Sequence, residues 1–362
     1  MDQQIQTLLQ LAIENKASDL HLLAGMVPTL RVNGELVPTP GWSVLTPDQT
    51  KTMILSLLSP KDQQTLIKER VLDFSCALGK HRFRVNAYFS RGSLAAAFRV
   101  IPSTIPRIDD LGLPQILHQF VNLKQGFVLV TGPTGHGKST TVAAILSEIN
   151  RTRRTHIVSI EDPIEYLIEP DQSIISQREI GGDTLSWQRA LRAVLREDPD
   201  VVFVGEMRDL ETISSALTVA ETGHLVFSTL HTNSAAETID RIIDVFPEGA
   251  KQQIRLQLAN VLSAVISQRL IPTVDGSRVP AVEILLSTHA VKTAIREAKT
   301  HMIDNIIQTS LELGMISLER SLANWVRQGK VNLSVAQSFA LRPDELNRQL
   351  RQLDPSANGK PT

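Results

Sequence analysis

The stretch that most constrains this chain is GPTGHGKST at 132–140, which follows the apolar run FVLV at 127–130. It fits the pattern G-x-x-x-x-G-K-[ST], in which a strand, a glycine-rich loop and a helix hold phosphate groups. Glycines let backbone N–H groups turn toward the phosphates, and the amino end of the following helix adds positive potential. The glycine spacing differs from the G-x-G-x-x-G of dinucleotide sites, which argues against dehydrogenase chemistry.

The loop predicts a nucleoside triphosphate and Mg²⁺ as cofactors. Lys138 is expected to contact the β- and γ-phosphates, and Ser139 to ligate the metal. The predicted nucleotide contacts are Gly132, Thr134, Gly135, His136, Gly137, Lys138, Ser139 and Thr140.

Two domains are expected from a length of 362 residues. Residues 1–100 predict a small α+β domain, in which amphipathic spacing favours a helix over 3–16 and a second helix is expected over 47–69. Two hairpins are expected, one at Asn33-Gly34 and one around residues 90–92.

Residues 101–114 hold three prolines and a glycine and predict an interdomain linker. From 115 to 350, apolar runs alternate with helix-like segments, which indicates a parallel sheet covered on both faces. The chain past 281 is expected to be mostly helical, and residues 351–362 to be disordered.

Two carboxylates follow apolar strand-like runs. Glu206 ends the run at 198–206, and Glu161 ends the run at 155–161. Because parallel strands bring their carboxyl ends to one edge of a sheet, both side chains can reach the phosphate site. We expect Glu161 to be the base that activates water and Glu206 to hold Mg²⁺ through water, although the two roles could be exchanged. Gly205 stands where many P-loop enzymes have an aspartate.

Two histidines flank one strand in TGHLVFSTLHT at 222–232. Seven residues of extended chain separate them by roughly 23 Å, so both cannot contact one γ-phosphate. His231, at the carboxyl end, is the expected phosphate sensor, and His224 is expected to be structural or to lie at a subunit contact.

The balance of charge predicts no general attraction to nucleic acid or to an anionic membrane, because 37 Lys and Arg face 38 Asp and Glu. The sequence shows no basic leader and no apolar run of spanning length, so a cytoplasmic protein without direct membrane insertion is expected. One cysteine, Cys76, excludes an intrachain disulfide.

These pieces together resemble the secretion ATPases that power type II secretion and type IV pili. The resemblance covers nearly the whole chain and rests on these motifs: ASDLHL at 17–22, RFRVNAY at 82–88, GPTGHGKST, SIEDPIEY at 159–166, LREDPDVVFVGEMRDLETI at 195–213, TGHLVFSTLHT and DRIIDVFP at 240–247.

The resemblance implies a PAS-like amino-terminal domain, a RecA-like ATPase domain with a helical carboxyl-terminal part, and a homohexameric ring that hydrolyses ATP. Within the family the chain is most similar to the motors that retract type IV pili, because it begins almost at the PAS-like domain and lacks a four-cysteine zinc site. The implied partners are an inner-membrane platform protein and an accessory retraction ATPase. The implied location is the cytoplasmic face of the inner membrane.

Residues 289–299 resemble a helix of the retraction motors. Lys292, Arg296 and Lys299 recur at helical spacing and predict one basic stripe, opposite an apolar face that includes Ala298.

Arg84 and Arg99 are expected on the polar face of the hairpin around residues 90–92, since their neighbours alternate with apolar residues. From the pattern alone, a solvated charged face is the usual outcome. The resemblance implies instead that both arginines enter the nucleotide site of the adjoining subunit and act as catalytic residues there.

Alternatives to a principal retraction motor are an accessory retraction ATPase, an export ATPase of another secretion system, and a nucleotide-binding regulator with little turnover. Gly205 and His136 are the residues that favour a regulator. His136 stands where the family usually has serine, and an imidazole beside the phosphates could slow turnover.

Overall fold

The chain forms two compact units, each with its own sheet and core. A computed structural model describes residues 1–32, 34–79, 81–101 and 104–352. Contacts group Met1–Thr104 and Glu165–Leu167 into the first unit, and Ile105–Ile164 and Ile168–Thr362 into the second. The combination of helices with two sheets confirms the predicted α/β class, whereas the predicted domain limits at 100, 114 and 350 remain predictions.

The first unit is an antiparallel six-stranded sheet with three helices, and its strand order is β3-β2-β1-β6-β5-β4. Its elements are α1 Gln3–Glu14, β1 Asp19–Leu22, β2 Thr29–Val32, β3 Glu35–Pro38, α2 Pro47–Leu55, α3 Pro60–Glu69, β4 Val71–Leu78, β5 His81–Ser90 and β6 Ser93–Ile101. The pairing of β2 with β3 confirms the first predicted hairpin, although Asn33 of its turn lies outside the described residues.

The single helix expected over 47–69 is wrong, because two helices occupy this range. Thr46 forms a capping box with Gln49 at the start of α2, and Ser59 caps α3 with Pro60 in its first turn. Proline disfavours a helical conformation at the preceding residue and lacks the N–H that a continuous helix needs. The chain therefore stops α2 and restarts at Pro60.

The second unit is a seven-stranded sheet with strand order β13-β12-β7-β11-β10-β8-β9. Its strands are β7 Gly126–Thr131, β8 His156–Glu161, β9 Ile174–Glu179, β10 Val201–Val204, β11 Leu225–Leu230, β12 Leu262–Pro272 and β13 Arg278–Leu286. Its helices are α4 Leu117–Val121, α5 Lys138–Thr152, α6 Trp187–Val194, α7 Leu210–Glu221, α8 Ala235–Asp244, α9 Glu248–Val261, α10 His289–Arg296, α11 Ile303–Thr309, α12 Leu318–Arg327, α13 Leu333–Phe339 and α14 Pro343–Gln352.

The parallel strands of this sheet place four loops along one edge. β7, β11, β10 and β8 are neighbours and all run parallel, with apolar side chains buried on both faces. The chain leaves these strands at Thr131, Leu230, Val204 and Glu161. Carboxyl ends of parallel strands are where α/β proteins bind ligands. None of the helices within the described ranges combines the length and apolar character needed to span a bilayer.

The basic stripe predicted near residue 296 is only partly present. Helix α10 ends at Arg296, and Ala298, expected on the apolar face, is exposed with a φ of 57°. Lys299 therefore lies past the helix, where its Nζ pairs with Glu297 at 2.8 Å. Two of the three cations, Lys292 and Arg296, share the helix.

Residues 105–114 of the predicted linker belong to the second unit. Ile108 and Leu113 are buried in its core. His118 joins this segment to α5, because its Nδ1 lies 2.7 Å from Glu148 and its Nε2 lies 3.1 Å from Asp109. The hydrogen bond to Glu148, aided by Asp109 and opposed by partial burial, raises the pKa of His118.

Replacing His118 with glutamine should destabilise the protein more at low pH than at high pH. A raised folded pKa contributes stability that is fully present below the unfolded value of about 6.5 and is lost as pH rises through the folded value. We expect the difference in unfolding temperature between wild type and His118→Gln to shrink as pH increases from 6 to 9. His301→Gln, at an exposed histidine, is the control. A difference in unfolding temperature that does not change with pH would contradict stabilisation by the His118 contacts to Glu148 and Asp109.

Candidate nucleotide site

The predicted strand, loop and helix are present at 126–152. β7 is buried along its whole length, and α5 begins at Lys138 directly after the loop. Gly135 and Gly137 adopt φ values of 78° and 81°, in the left-handed region that glycine tolerates best. The loop thus turns back on itself and ends at the positive amino terminus of a fifteen-residue helix.

Gly132 lies where no other residue fits. Its φ is 141°, and a Cβ added there would stand 2.2 Å from the carbonyl oxygen of Gln268. Atoms that close clash with the backbone of β12, which cannot swing away as a side chain could. The first glycine of the motif is therefore required by the close approach of β12.

Lys138 lies against the backbone of its own loop. The residue is 8% exposed, and its Nζ donates to the carbonyl oxygens of Gly132 at 2.8 Å and Pro133 at 3.0 Å. These contacts hold the ammonium group over the loop, where the motif places the lysine that binds the β- and γ-phosphates.

His231 connects Lys138 to Glu206. Its Nε2 lies 2.9 Å from Glu206 Oε1, and its Nδ1 lies 3.3 Å from Lys138 Nζ and 3.5 Å from Thr134 Oγ1. With the proton on Nε2, the imidazole donates to Glu206 and accepts from the lysine. Three residues predicted independently at strand ends and in the loop therefore meet in one chain of contacts.

Glu206 is held as a carboxylate. Burial raises its pKa, but the hydrogen bond from Arg208 at 2.8 Å and the neighbouring His231 and Lys138 outweigh burial, so the pKa is lowered from its ordinary value. A carboxylate ionised at neutral pH is suited to bind Mg²⁺, which prefers oxygen ligands.

Glu161 lies buried at the end of β8, farther along the same edge. Its Oε1 accepts from Ser159 Oγ at 2.6 Å and from Gln177 Nε2 at 3.3 Å. Since neighbouring strands lie about 4.8 Å apart, β10 ends about 10 Å from β7, and β8 about 14 Å. Its role as the base remains a prediction.

Close packing explains why position 205 is a glycine. A Cβ at this position would lie 3.2 Å from the carbonyl oxygen of Ile160 and 3.3 Å from Cα of Glu161. The Gly205 N–H also donates to Ile160 O at 2.8 Å. An aspartate here would push against the end of β8, so glycine lets the Glu161 and Glu206 strand ends lie close together.

His224 lies at the amino end of β11, opposite to His231, as predicted from the spacing. Its Nδ1 is 3.0 Å from the carbonyl oxygen of Val219 in the last turn of α7. This contact satisfies a helix-terminal carbonyl and supports a structural role.

His136 is held toward β12. Its Nδ1 accepts from the backbone N–H of Leu270 at 2.9 Å. Burial, together with the charges of Arg269, Lys138 and Arg278, lowers the pKa of His136. A neutral ring whose Nδ1 is already bonded to β12 weakens the expectation that His136 perturbs the phosphates.

Arg84 and Arg99 form a cross-strand pair on β5 and β6 of the first unit, which confirms their predicted common face. Phe83, Val85 and Phe98 are buried on the opposite face. Arg99 donates from Nε to Asp19 at 3.0 Å, and its side chain is 70% exposed. The catalytic role of both arginines stays a prediction.

The remaining loop residues occupy the positions that the motif expects. Ser139 and Thr140 lie in the first turn of α5. In the part of the chain that the structure describes, no group of three or more His, Cys, Asp or Glu residues is arranged to bind a metal ion. Mg²⁺ bound to nucleotides typically takes only one or two protein oxygens beside phosphate and water, which the Ser139 hydroxyl and the Glu206 carboxylate fit.

Two residues of the site were not expected from the sequence. Arg208 pairs with Glu206, and Gln268 bonds to the phosphate loop from β12. Arg208 lies two residues from Glu206, so the sequence alone could have indicated this ion pair. Nothing in the local pattern marked Gln268.

Known proteins resemble this chain in both sequence and structure. A family model described as type II/IV secretion system protein matches residues 1–309. The type IV pilus retraction ATPase PilT of Pseudomonas aeruginosa is 45% identical over 341 residues, or 94% of this chain and 99% of PilT. The type IV pilus ATPase PilU of the same organism is 36% identical over 350 residues, or 96% and 91% of the two chains.

A solved structure extends this likeness to the fold. The crystal structure of the pilus retraction motor PilT with bound ADP superposes with a TM-score of 0.89 at 44% identity, covering 95% of this chain and 99% of that one. The residues that the family model matches include the first unit, most of the second unit and the whole phosphate loop. The chain belongs to the type II/IV secretion ATPase family.

Proposed function

We propose that this chain is a Mg²⁺-dependent ATPase that works as a homohexamer and drives the retraction of type IV pili. The observation that carries the ATPase proposal is the contact chain from Lys138 through His231 to Glu206 beside the phosphate loop. When nucleotide binds, the Lys138 ammonium leaves the loop carbonyls and contacts the β- and γ-phosphates. His231 contacts Lys138 and is therefore placed to sense the γ-phosphate.

Ser139 and Glu206 would hold Mg²⁺, which neutralises phosphate charge when bound. Glu161 is proposed as the base that orients and deprotonates water. The exchanged assignment, with Glu206 as base, has support in the direct contact of Glu206 with His231. Arg84 and Arg99 of a neighbouring subunit complete the site by neutralising charge in the transition state.

Retraction is supported by the relatives. PilT, described as a retraction ATPase, matches over nearly the full length of both chains. An inner-membrane platform protein is the proposed partner, which would place the ring at the cytoplasmic face of the membrane. The second candidate is an accessory retraction ATPase, because the chain is also 36% identical to PilU over most of both chains.

Deleting the gene in its own piliated host should abolish twitching and leave cells with excess pili, and the wild-type gene should restore both. An accessory motor would leave substantial twitching in the deletion strain. A regulator would instead show no ATP turnover as a purified ring. Normal piliation and twitching without the gene would contradict retraction altogether.

A further inference from the structure

Strand β12 continues past its pairing with β7 and runs beside the phosphate loop. Pairing ends at Ser267 and Thr131, whereas β12 extends to Pro272. The first residue beyond the pairing, Gln268, is 3% exposed. Burying an amide side chain costs folding free energy unless its N–H donor and its oxygen acceptor are both hydrogen-bonded. The partners of Gln268 therefore indicate its role.

We propose that Gln268 is a positioning residue that holds the phosphate loop in its nucleotide-binding shape. Its Nε2 donates to the carbonyl oxygen of His136 at 2.9 Å, and its Oε1 accepts from Thr141 Oγ1 at 2.8 Å. One side chain therefore ties the end of the loop to the first turn of α5. This inference rests on the proposed ATPase function.

The bond to His136 sets the direction of a peptide N–H. The C=O of His136 and the N–H of Gly137 belong to one trans peptide, in which the two groups point in opposite directions. Because Gln268 draws the carbonyl toward β12, the Gly137 N–H is turned away from β12. Glycine-rich loops bind phosphates through such inward N–H groups.

Two further contacts hold the loop from the same side. The carbonyl of Gln268 lies so close to Gly132 that a Cβ there would stand 2.2 Å from it. The Leu270 N–H donates to the His136 ring at 2.9 Å. The start and the end of the loop are thus both set by residues of β12.

A purely structural role makes a different prediction from a positioning role. If the amide only satisfies the core, its loss lowers the unfolding temperature and leaves nucleotide affinity unchanged in the folded protein. If it positions the loop, nucleotide affinity falls in protein that is still folded. Affinity and stability therefore have to be measured on the same samples.

Gln268→Met removes both hydrogen bonds with little change of volume. We expect the Kd for ADP with Mg²⁺ to rise about tenfold, equivalent to about 1.4 kcal/mol. The KM for ATP should rise similarly while kcat stays within about twofold, because the bonds persist through the reaction and support binding in both states. Gln253→Met, at an exposed glutamine of α9, should behave as wild type.

Thr141 provides a matched pair. Thr141→Val loses the hydroxyl at similar volume and should weaken ADP binding several-fold, whereas Thr141→Ser keeps the hydroxyl and should bind as wild type. Combining Thr141→Val with Gln268→Met should cost less than the sum of the two, since they share one bond. If Gln268→Met fails to fold, the Thr141 pair decides the question.

Wild-type affinity in folded Gln268→Met, or equal losses in Thr141→Val and Thr141→Ser, would overturn the proposal. Lys138→Ala separates this outcome from failure of the proposed function. If Lys138→Ala loses ADP while Gln268→Met keeps it, the site is real and only the positioning role is wrong. If the wild-type protein binds no ADP, both proposals fail.

Discussion

Lys138→Ala should reduce ATP turnover by roughly 10²–10³-fold, the range that follows removal of one charge-stabilising donor. The loss should be seen first in nucleotide affinity, because Nζ is held at the phosphate loop, 2.8 Å from Gly132 O, where the motif places the lysine that contacts the phosphates. Glu161→Gln and Glu206→Gln should instead keep ATP bound and slow its cleavage. Glutamine preserves the shape of each side chain but cannot accept a proton from water or carry the negative charge.

Binding and turnover have to be measured separately, with a fluorescent nucleotide for affinity and phosphate release for cleavage. Lys124→Ala, at an exposed lysine, serves as the control for loss of one positive charge. The glutamate whose replacement by glutamine slows cleavage more, at unchanged nucleotide affinity, is the base. Undiminished turnover in both glutamine variants would refute either assignment.

The parts of the fold that were predicted are those with a strong local pattern. β7, β8, β10 and β11 read as continuous apolar runs because both of their faces are buried. β4 and β9 lie at sheet edges and carry polar or exposed residues, so their patterns are weak. Edge strands are positioned by their neighbours more than by their own sequence.

The same distinction applies to the site. The phosphate loop, Glu206 and His231 were predicted because each stands at a fixed offset from a recognisable strand. Gln268 lies 132 residues from His136, and its contact arises from the sheet order, which places β12 beside β7. The helix break at Pro60 could have been predicted, because serine before proline is a common helix start.

The proposal that Arg84 and Arg99 act on the neighbouring subunit can be tested by mixing variant chains in one ring. Arg84 and Arg99 belong to the first unit, whereas the phosphate loop belongs to the second. An arginine that neutralises charge in the transition state is worth roughly 10³–10⁵ in rate. Arg99 is also bonded to Asp19, which makes Arg84 the cleaner position to change.

Arg84→Ala and Lys138→Ala should each be nearly inactive alone and should regain ATP turnover when mixed. In a ring with random mixing at equal amounts, about one quarter of the interfaces pair an intact lysine with a neighbour's intact arginine. Turnover should therefore approach that fraction of the wild-type rate if the arginine acts in trans and the sites work independently. Phosphate release at several mixing ratios is the measurement, with two different tags to show that the rings contain both chains.

A chain carrying both substitutions provides the matched control, because mixing it with Arg84→Ala supplies no intact arginine and should restore nothing. Mixing also separates two explanations for inactivity of Arg84→Ala. If the substitution instead prevents the chain from folding or from entering the ring, mixed rings will not form and activity will not return. If mixed rings form yet stay inactive at every ratio, Arg84 acts within its own chain or supports the fold, and the proposed composite site between subunits is wrong.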